Sequence, residues 1–183
     1  MKIGITGSIS SGKSTVSNLF LKNKKLIFSA DKVVKDLYNS NDFKKKISKK
    51  FKIRKNQIKK EIKKKLLTKK ITLKSLGKIV HPVVRKKMLS FYKKNKRKNV
   101  LVFEIPLLIE NKLMNFFDFI ILVTASRKIR LRRYTKNGGD KKLFNILDKE
   151  QLSSAKKSRF CNYIIVNNKS KTILKKKVNA IIE

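Results

Sequence analysis

Residues 4–15 read GITGSISSGKST, and within them Gly7-x-x-x-x-Gly12-Lys13-Ser14 fits the phosphate-loop pattern G-x-x-x-x-G-K-[ST]. Such a loop binds phosphate through backbone N–H groups that line a concave nest, helped by the positive end of the helix that follows. Gly7, Ser10, Ser11, Gly12 and Thr15 are candidate cradle residues, and the serines contribute N–H donors whatever their side chains do. Lys13 is placed to reach the β- and γ-phosphates of a nucleoside triphosphate, and the Ser14 hydroxyl to ligate Mg²⁺. The interior, Ser8-Ile9-Ser10-Ser11, lacks the extra glycines that many such loops carry. That raises a question of backbone angle, because a non-glycine residue at positive φ is uncommon.

Two further features bear on what is done with the phosphate. Asp31 stands at the carboxyl end of a second apolar segment, the ligand side of a parallel sheet. On spacing alone two readings stay open: a carboxylate that accepts a proton from a sugar hydroxyl, or a plain N-cap for a helix over 32–38. Four of the chain's eight arginines, Arg127, Arg130, Arg132 and Arg133, lie together before Gly138-Gly139. In a lysine-dominated chain that clustering fits a lid that brings cations onto a transferring phosphoryl group. No NKxD-like guanine signature follows a strand, which disfavours a GTPase.

The elements that must position these residues follow from periodicity. Residues 2–6 read as a strand, 13–23 as a helix, 25–30 as a second strand and 31–38 as a helix, a βαβ opening that favours a parallel sheet. Apolar residues at spacings of three and four within 41–97 predict several short helices, an insertion in the sheet domain. His81-Pro82 is expected to start a new helix, with Pro82 in its first turn. The near-continuous apolar runs 99–108 and 117–125 predict buried strands, Glu104 falling near the carboxyl end of the first. Residues 126–151 read as helix, glycine turn, helix; 161–168 as a final strand; 170–182 as a closing helix.

Composition sets outer bounds. A chain of 183 residues with one cysteine, Cys161, predicts one domain without an intramolecular disulfide. No secretory signal and no membrane-length apolar run is present, so a cytoplasmic protein is expected. The net charge of +39 comes mostly from lysine spread along the whole chain, with isoleucine and asparagine also abundant. That joint bias is what an AT-rich genome produces by drift. A dedicated nucleic-acid face would instead concentrate charge among arginines and aromatics.

Taken together, these residues resemble the dephospho-coenzyme A kinase family. The resemblance is carried by TGSISSGKST, Ser29-Ala30-Asp31, His81-Pro82 with Arg85, Glu104-Ile105-Pro106-Leu107-Leu108-Ile109-Glu110, the arginines from 130 to 133, Gln151, and Cys161-Asn162-Tyr163-Ile164-Ile165-Val166-Asn167, from residue 3 to about 175. It implies an α/β, three-layer P-loop kinase core with a mostly parallel sheet, a helical substrate-binding insertion at about 39–97 and a helical lid at about 126–157. It implies transfer of the ATP γ-phosphoryl group to the ribose 3′-hydroxyl of dephospho-coenzyme A, with Mg²⁺. Asp31, Lys13 and Arg133 then become the catalytic candidates, and Arg130 and Asn167 join the ATP-binding set. His81 and Arg85 join Asp31 as substrate-binding candidates, although the residues alone read His81 as packing the start of its helix. Glu104 joins Ser14 as a metal ligand. Three positions depart from the family pattern: Ser29, Glu104 and Asn162 each stand where it has an aspartate. Glu110 is expected on a helix surface and Cys161 as a small buried residue. A monomer without a specific nucleic-acid or membrane partner is expected. The alternatives are another small-molecule P-loop kinase or a basic nucleic-acid-binding ATPase.

Overall fold

A computed structural model describes residues 1–21 and 26–182. In chain order the elements are β1 (Lys2–Thr6), α1 (Lys13–Phe20), β2 (Ile27–Ser29), α2 (Ala30–Leu37), α3 (Asn41–Phe51), α4 (Ile58–Leu67), α5 (Leu73–Asn95), β3 (Leu101–Glu104), β4 (Phe119–Thr124), α6 (Arg127–Lys136), α7 (Lys141–Lys149), α8 (Ser154–Ser158), β5 (Tyr163–Val166) and α9 (Lys171–Ile182). Residues 22 and 23 of the expected first helix, and Lys25 of the expected second strand, lie outside the described residues.

The five strands form one parallel sheet in the order β2-β3-β1-β4-β5. Its two faces follow from strand alternation. Ile3, Ile5, Val102, Ile121 and Val123 point to the side covered by α1 and α9, where Val16, Leu174 and Val178 meet them. Phe28, Leu101, Phe103 and Ile120 point to the opposite side, against Met88 of α5 and residues 105–117. On that side Phe103 packs edge-on against Phe91, Phe116 and Phe117 at 5.5–5.6 Å between ring centroids. The register aligns the strand ends. Glu104 lies level with Ile5 on one side and Ser29 on the other, so β1, β2 and β3 all end at one edge. That edge carries the site.

Residues 41–80 build a core of their own. Phe43, Ile47 and Phe51 of α3 meet Ile58, Ile62 and Leu66 of α4 and Ile79 and Val80 of α5. The lysines between them lie on the outer faces, so this segment is a set of amphipathic helices. The phenylalanines of FKKKISKKFKIRK are core residues.

One expectation is corrected. His81-Pro82 does not start a helix: α5 runs unbroken from Leu73 to Asn95, with Pro82 inside it. The start signal lies upstream, where Thr72 and Ser75 form a capping box. An internal proline costs about 3 kcal/mol through its missing N–H and its clash with the preceding turn. Burial on both sides of it offsets that cost. Ile79 and Val80 sit in the insertion core, and Met88 packs under the sheet.

Glu110 is a second correction. It is not a surface helix residue but one half of an ion pair with Lys157, whose side chain is fully buried, at 2.9 Å. Lys157 also donates to the Pro106 carbonyl at 3.0 Å. Breaking a buried pair from one side strands the other charge, at a cost of about 3–5 kcal/mol. Lys157→Met is therefore expected to lower Tm by about 10 °C, at roughly 2–4 °C per kcal/mol for a chain of this size. The double variant Lys157→Met/Glu110→Leu should recover part of that loss in a thermal melt, since Glu110 also accepts the Leu152 N–H at 2.9 Å.

Candidate active site

The phosphate loop joins β1 to α1 and adopts the strained geometry that its sequence foreshadowed. Ser10 takes the left-handed conformation, with φ 56°. The retained glycines are each demanded by a close neighbour. Gly7, at φ 146°, leaves no room for a Cβ beside the Val123 carbonyl of β4. Gly12, at φ 102°, leaves none beside the Asn167 amide. Gly7→Ala must push backbone against backbone, so a loss of about 4 kcal/mol in a urea titration is the expected result.

A cleft of about 470 Å³ opens over this loop. Ser10, Gly12, Lys13, Ser14 and Thr15 form its floor, and Asp31, Glu104, Arg133 and Asn167 stand around it. The N-cap of α1 is Gly12, which has no side chain to occupy the first N–H groups of the helix; that end faces this floor. Lys13 is buried and donates to the Ser8 carbonyl at 3.1 Å. Burial pulls its ammonium pKa below the usual lysine range, with Asp31 and then Glu104 opposing that shift. Glu104, the last residue of β3, is also buried and accepts a hydrogen bond from the Ser14 hydroxyl at 2.6 Å. Burial raises its carboxyl pKa, against the Ser14 hydrogen bond and the Lys13 charge.

Arg133 and Asn167 close the cleft from the far side. Arg133 donates to the carbonyls of Ser11 at 3.3 Å and Asn167 at 3.0 Å. The Asn167 carboxamide donates to the same Ser11 carbonyl at 2.8 Å. Ser11 is thus gripped through its backbone, while its buried hydroxyl has no partner among the described residues. Arg130 lies elsewhere. It is buried, forks onto Asp148 and donates to the Ala125 carbonyl, and it does not line the cleft. Arg127 also pairs with Asp148, at 3.4 Å.

A second cavity, about 370 Å³, adjoins the first. The two share Ser10, Lys13 and Asp31. Asp31 is exposed at this junction, in the first turn of α2. The cap of α2 is Ser29, whose hydroxyl accepts from the Lys32 N–H at 3.3 Å. Asp31 is therefore not the N-cap, and its carboxylate is left for the cavities. His81 lines the second cavity with it, from the middle of α5 rather than from a helix start. The Gly77 position one turn earlier is bare because a Cβ there would lie 2.9 Å from the His81 ring. Burial and then the nearby Arg85 lower the His81 pKa. Arg85 itself lies further along the α5 surface, beside His81 but outside the cavity that holds Asp31.

The dephospho-CoA kinase family model matches residues 1–172. The chain belongs to the dephospho-CoA kinase family. It is 32% identical to the dephospho-CoA kinase of Fusobacterium nucleatum, covering all of this chain and 97% of that protein. It is 33% identical to that of Ehrlichia canis, over 92% and 88% of the two chains. Its fold is that of the dephospho-CoA kinase structure from Campylobacter jejuni, at TM-score 0.65 and 24% identity over 100% and 96% of the chains. It is also that of shikimate kinase from Acinetobacter baumannii, at TM-score 0.55, 12% identity and 99% and 92% coverage. Membership makes the chain a kinase with a nucleotide-binding loop that uses ATP to phosphorylate dephospho-CoA in coenzyme A biosynthesis. That sets aside another small-molecule P-loop kinase and a basic nucleic-acid-binding ATPase. Among the described residues no helix is long and apolar enough to cross a membrane.

Within the family pattern, the three departures have local physical accounts. Ser29 caps α2 as an aspartate would. Glu104 reaches Ser14. Asn162 accepts from the Ile120 N–H at 2.8 Å through its carboxamide oxygen, an acceptor that aspartate would also supply. Cys161 is half-buried, and burial pushes its thiol pKa to about 11.

Proposed function

We propose that the chain moves the ATP γ-phosphoryl group to the ribose 3′-hydroxyl of dephospho-CoA, the nucleotide in the first cleft and the acceptor in the second. The observation that carries this reading is the meeting of the two cavities at Ser10, Lys13 and Asp31. A phosphoryl group passing between them crosses a floor of loop N–H groups beside one ammonium and one carboxylate. Such transfer needs positioning and charge stabilisation more than covalent help from the protein.

In this reading the N–H groups of Ser10 to Thr15 and the start of α1 hold the phosphates, and Lys13 follows the β- and γ-phosphates. Arg133 adds positive charge from the opposite wall. Asp31 accepts the proton of the attacking hydroxyl as its oxygen bonds to the γ-phosphorus. The bond from that phosphorus to the β–γ bridging oxygen breaks, and ADP leaves with that electron pair. His81 and Arg85 hold the acceptor further out. We assign Arg130 a bracing role on Asp148 rather than a phosphate contact.

Ser14 and Glu104 are the residues that would hold Mg²⁺. Their hydroxyl and carboxylate oxygens are already 2.6 Å apart, and a hard cation of this kind takes one or two carboxylates together with substrate phosphates. When bound, the ion neutralises charge on the phosphate oxygens. We also read one chain as the working unit, acting in the cytoplasm.

A coupled assay of ADP release with Mg-ATP tests the proposal, with dephospho-CoA run beside adenosine, AMP, shikimate and single-stranded DNA. Release that depends on dephospho-CoA is the expected result. Stimulation by DNA alone would sink it.

A further inference from the structure

Gln151 takes no part in the chemistry above, yet it stands where the phosphate loop meets the acceptor cavity. Its Oε1 accepts from the Ile9 N–H at 3.0 Å. A backbone N–H can only donate, so the carboxamide oxygen must face the loop and its NH₂ must face away. Gln151 lines both the cavity that holds Asp31 and an adjoining one that His81 also lines.

The backbone on either side of this carboxamide is fixed. The Gln151 N–H donates to the Asp148 carbonyl at 3.3 Å, and Asp148 is forked by Arg130. The following N–H, of Leu152, donates to Glu110 at 2.9 Å, and Glu110 is held by the fully buried Lys157. A side chain tied at its base and at its oxygen keeps its NH₂ in one place, as a binding group requires. Much of the shared wall is apolar, through Val34, Val80, Leu107 and Leu147. In such a pocket a few fixed polar groups set the ligand's orientation.

We infer that Gln151 is an acceptor-binding residue whose NH₂ donates to a lone pair on the nucleoside end of dephospho-CoA, a sugar oxygen or a ring nitrogen, and so sets the hydroxyl against Asp31. This rests on the acceptor reading above. The Ile9 N–H holds the oxygen of Gln151 toward the loop, so the side chain turns its donors away from the loop. The tie also links the end of α7 to the loop that holds ATP, so the two substrates are held by one braced element.

Two variants of the full chain test this. Gln151→Glu keeps an oxygen for the Ile9 N–H but loses both donors. Gln151→Met loses the donors without adding charge. Binding of dephospho-CoA alone is measured by calorimetry, and both KM values by the coupled assay. The expected result is a rise of about tenfold in acceptor Kd and KM in both variants. For Gln151→Glu the KM for ATP should stay within about threefold, because the loop tie survives. Unchanged acceptor affinity in both variants would overturn the inference, as would an equal rise of both KM values in Gln151→Glu. Failure of the unaltered chain to bind or turn over dephospho-CoA, with ATP still raising its Tm, would count instead against the proposed acceptor.

Discussion

Asp31→Asn is expected to lower kcat for dephospho-CoA by about 10²–10⁴-fold, the usual worth of a positioned proton acceptor. The argument begins with the cap of α2. Ser29 takes the Lys32 N–H, so Asp31 owes that helix no hydrogen bond, and asparagine should leave the fold standing. A thermal melt within a few degrees of the unaltered chain checks this. Asparagine keeps the size of the side chain and one acceptor oxygen but cannot take a proton. The loss should therefore fall on kcat, with a smaller change in the KM for ATP. A second signature goes with it. Asp31 is the first of the charges that hold the Lys13 ammonium pKa up against burial. Removing that charge lowers the Lys13 pKa further, so ATP binding in Asp31→Asn should fade at a lower pH than in the unaltered chain. Nucleotide binding by calorimetry across the alkaline range reads this shift. An unchanged kcat would remove Asp31 from the chemistry.

The parts of this site legible in the sequence were those that depend on local chemistry. The loop pattern names Lys13 and Ser14 outright, because the backbone nest needs glycine at Gly7 and Gly12 and the phosphates need a cation. The strands were legible as apolar runs, since a sheet covered on both faces needs little alternation. Convergence was legible only through the family resemblance, not from local pattern. Glu104 and Asp31 reach the loop because β1, β2 and β3 end level with one another, a consequence of pairing across about a hundred residues. Pro82 misled for a related reason. Its local signal is a helix start, but burial on both sides of it keeps α5 whole. The pairing of Lys157 with Glu110 was hidden among lysines that mostly face solvent; one buried lysine in a basic chain carries no local mark. Arg130 and Arg133 look alike in the cluster, and only the position of Asp148 separates a brace from a cleft residue.

Lys13→Met should lower kcat/KM by about 10²–10³-fold, as expected when one preorganised charge is taken from a transferring phosphoryl group. Its effect on the free protein should be far smaller. A buried ammonium is held at the expense of its hydration, and Lys13 is buried with one backbone acceptor at 3.1 Å. Methionine fills similar space without a charge, so the ligand-free chain should melt within a few degrees of the unaltered one while its response to ATP is lost. The pH dependence gives the sharper test. The Lys13 pKa is lower in the folded chain than its ordinary value of 10.5. Between those two values the unfolded chain holds a proton that the folded chain has released, so the Lys13 contribution to stability without ligand rises with pH. Over the same window the cation that meets the phosphates disappears, so stabilisation by ATP must fall. Cys161 and Tyr38, whose pKa values burial raises, titrate in both chains alike, so the two opposite slopes should appear in the difference between the unaltered chain and Lys13→Met. Parallel slopes with and without ATP would mean that the Lys13 charge does not meet the nucleotide, and the cleft over the loop would need another occupant.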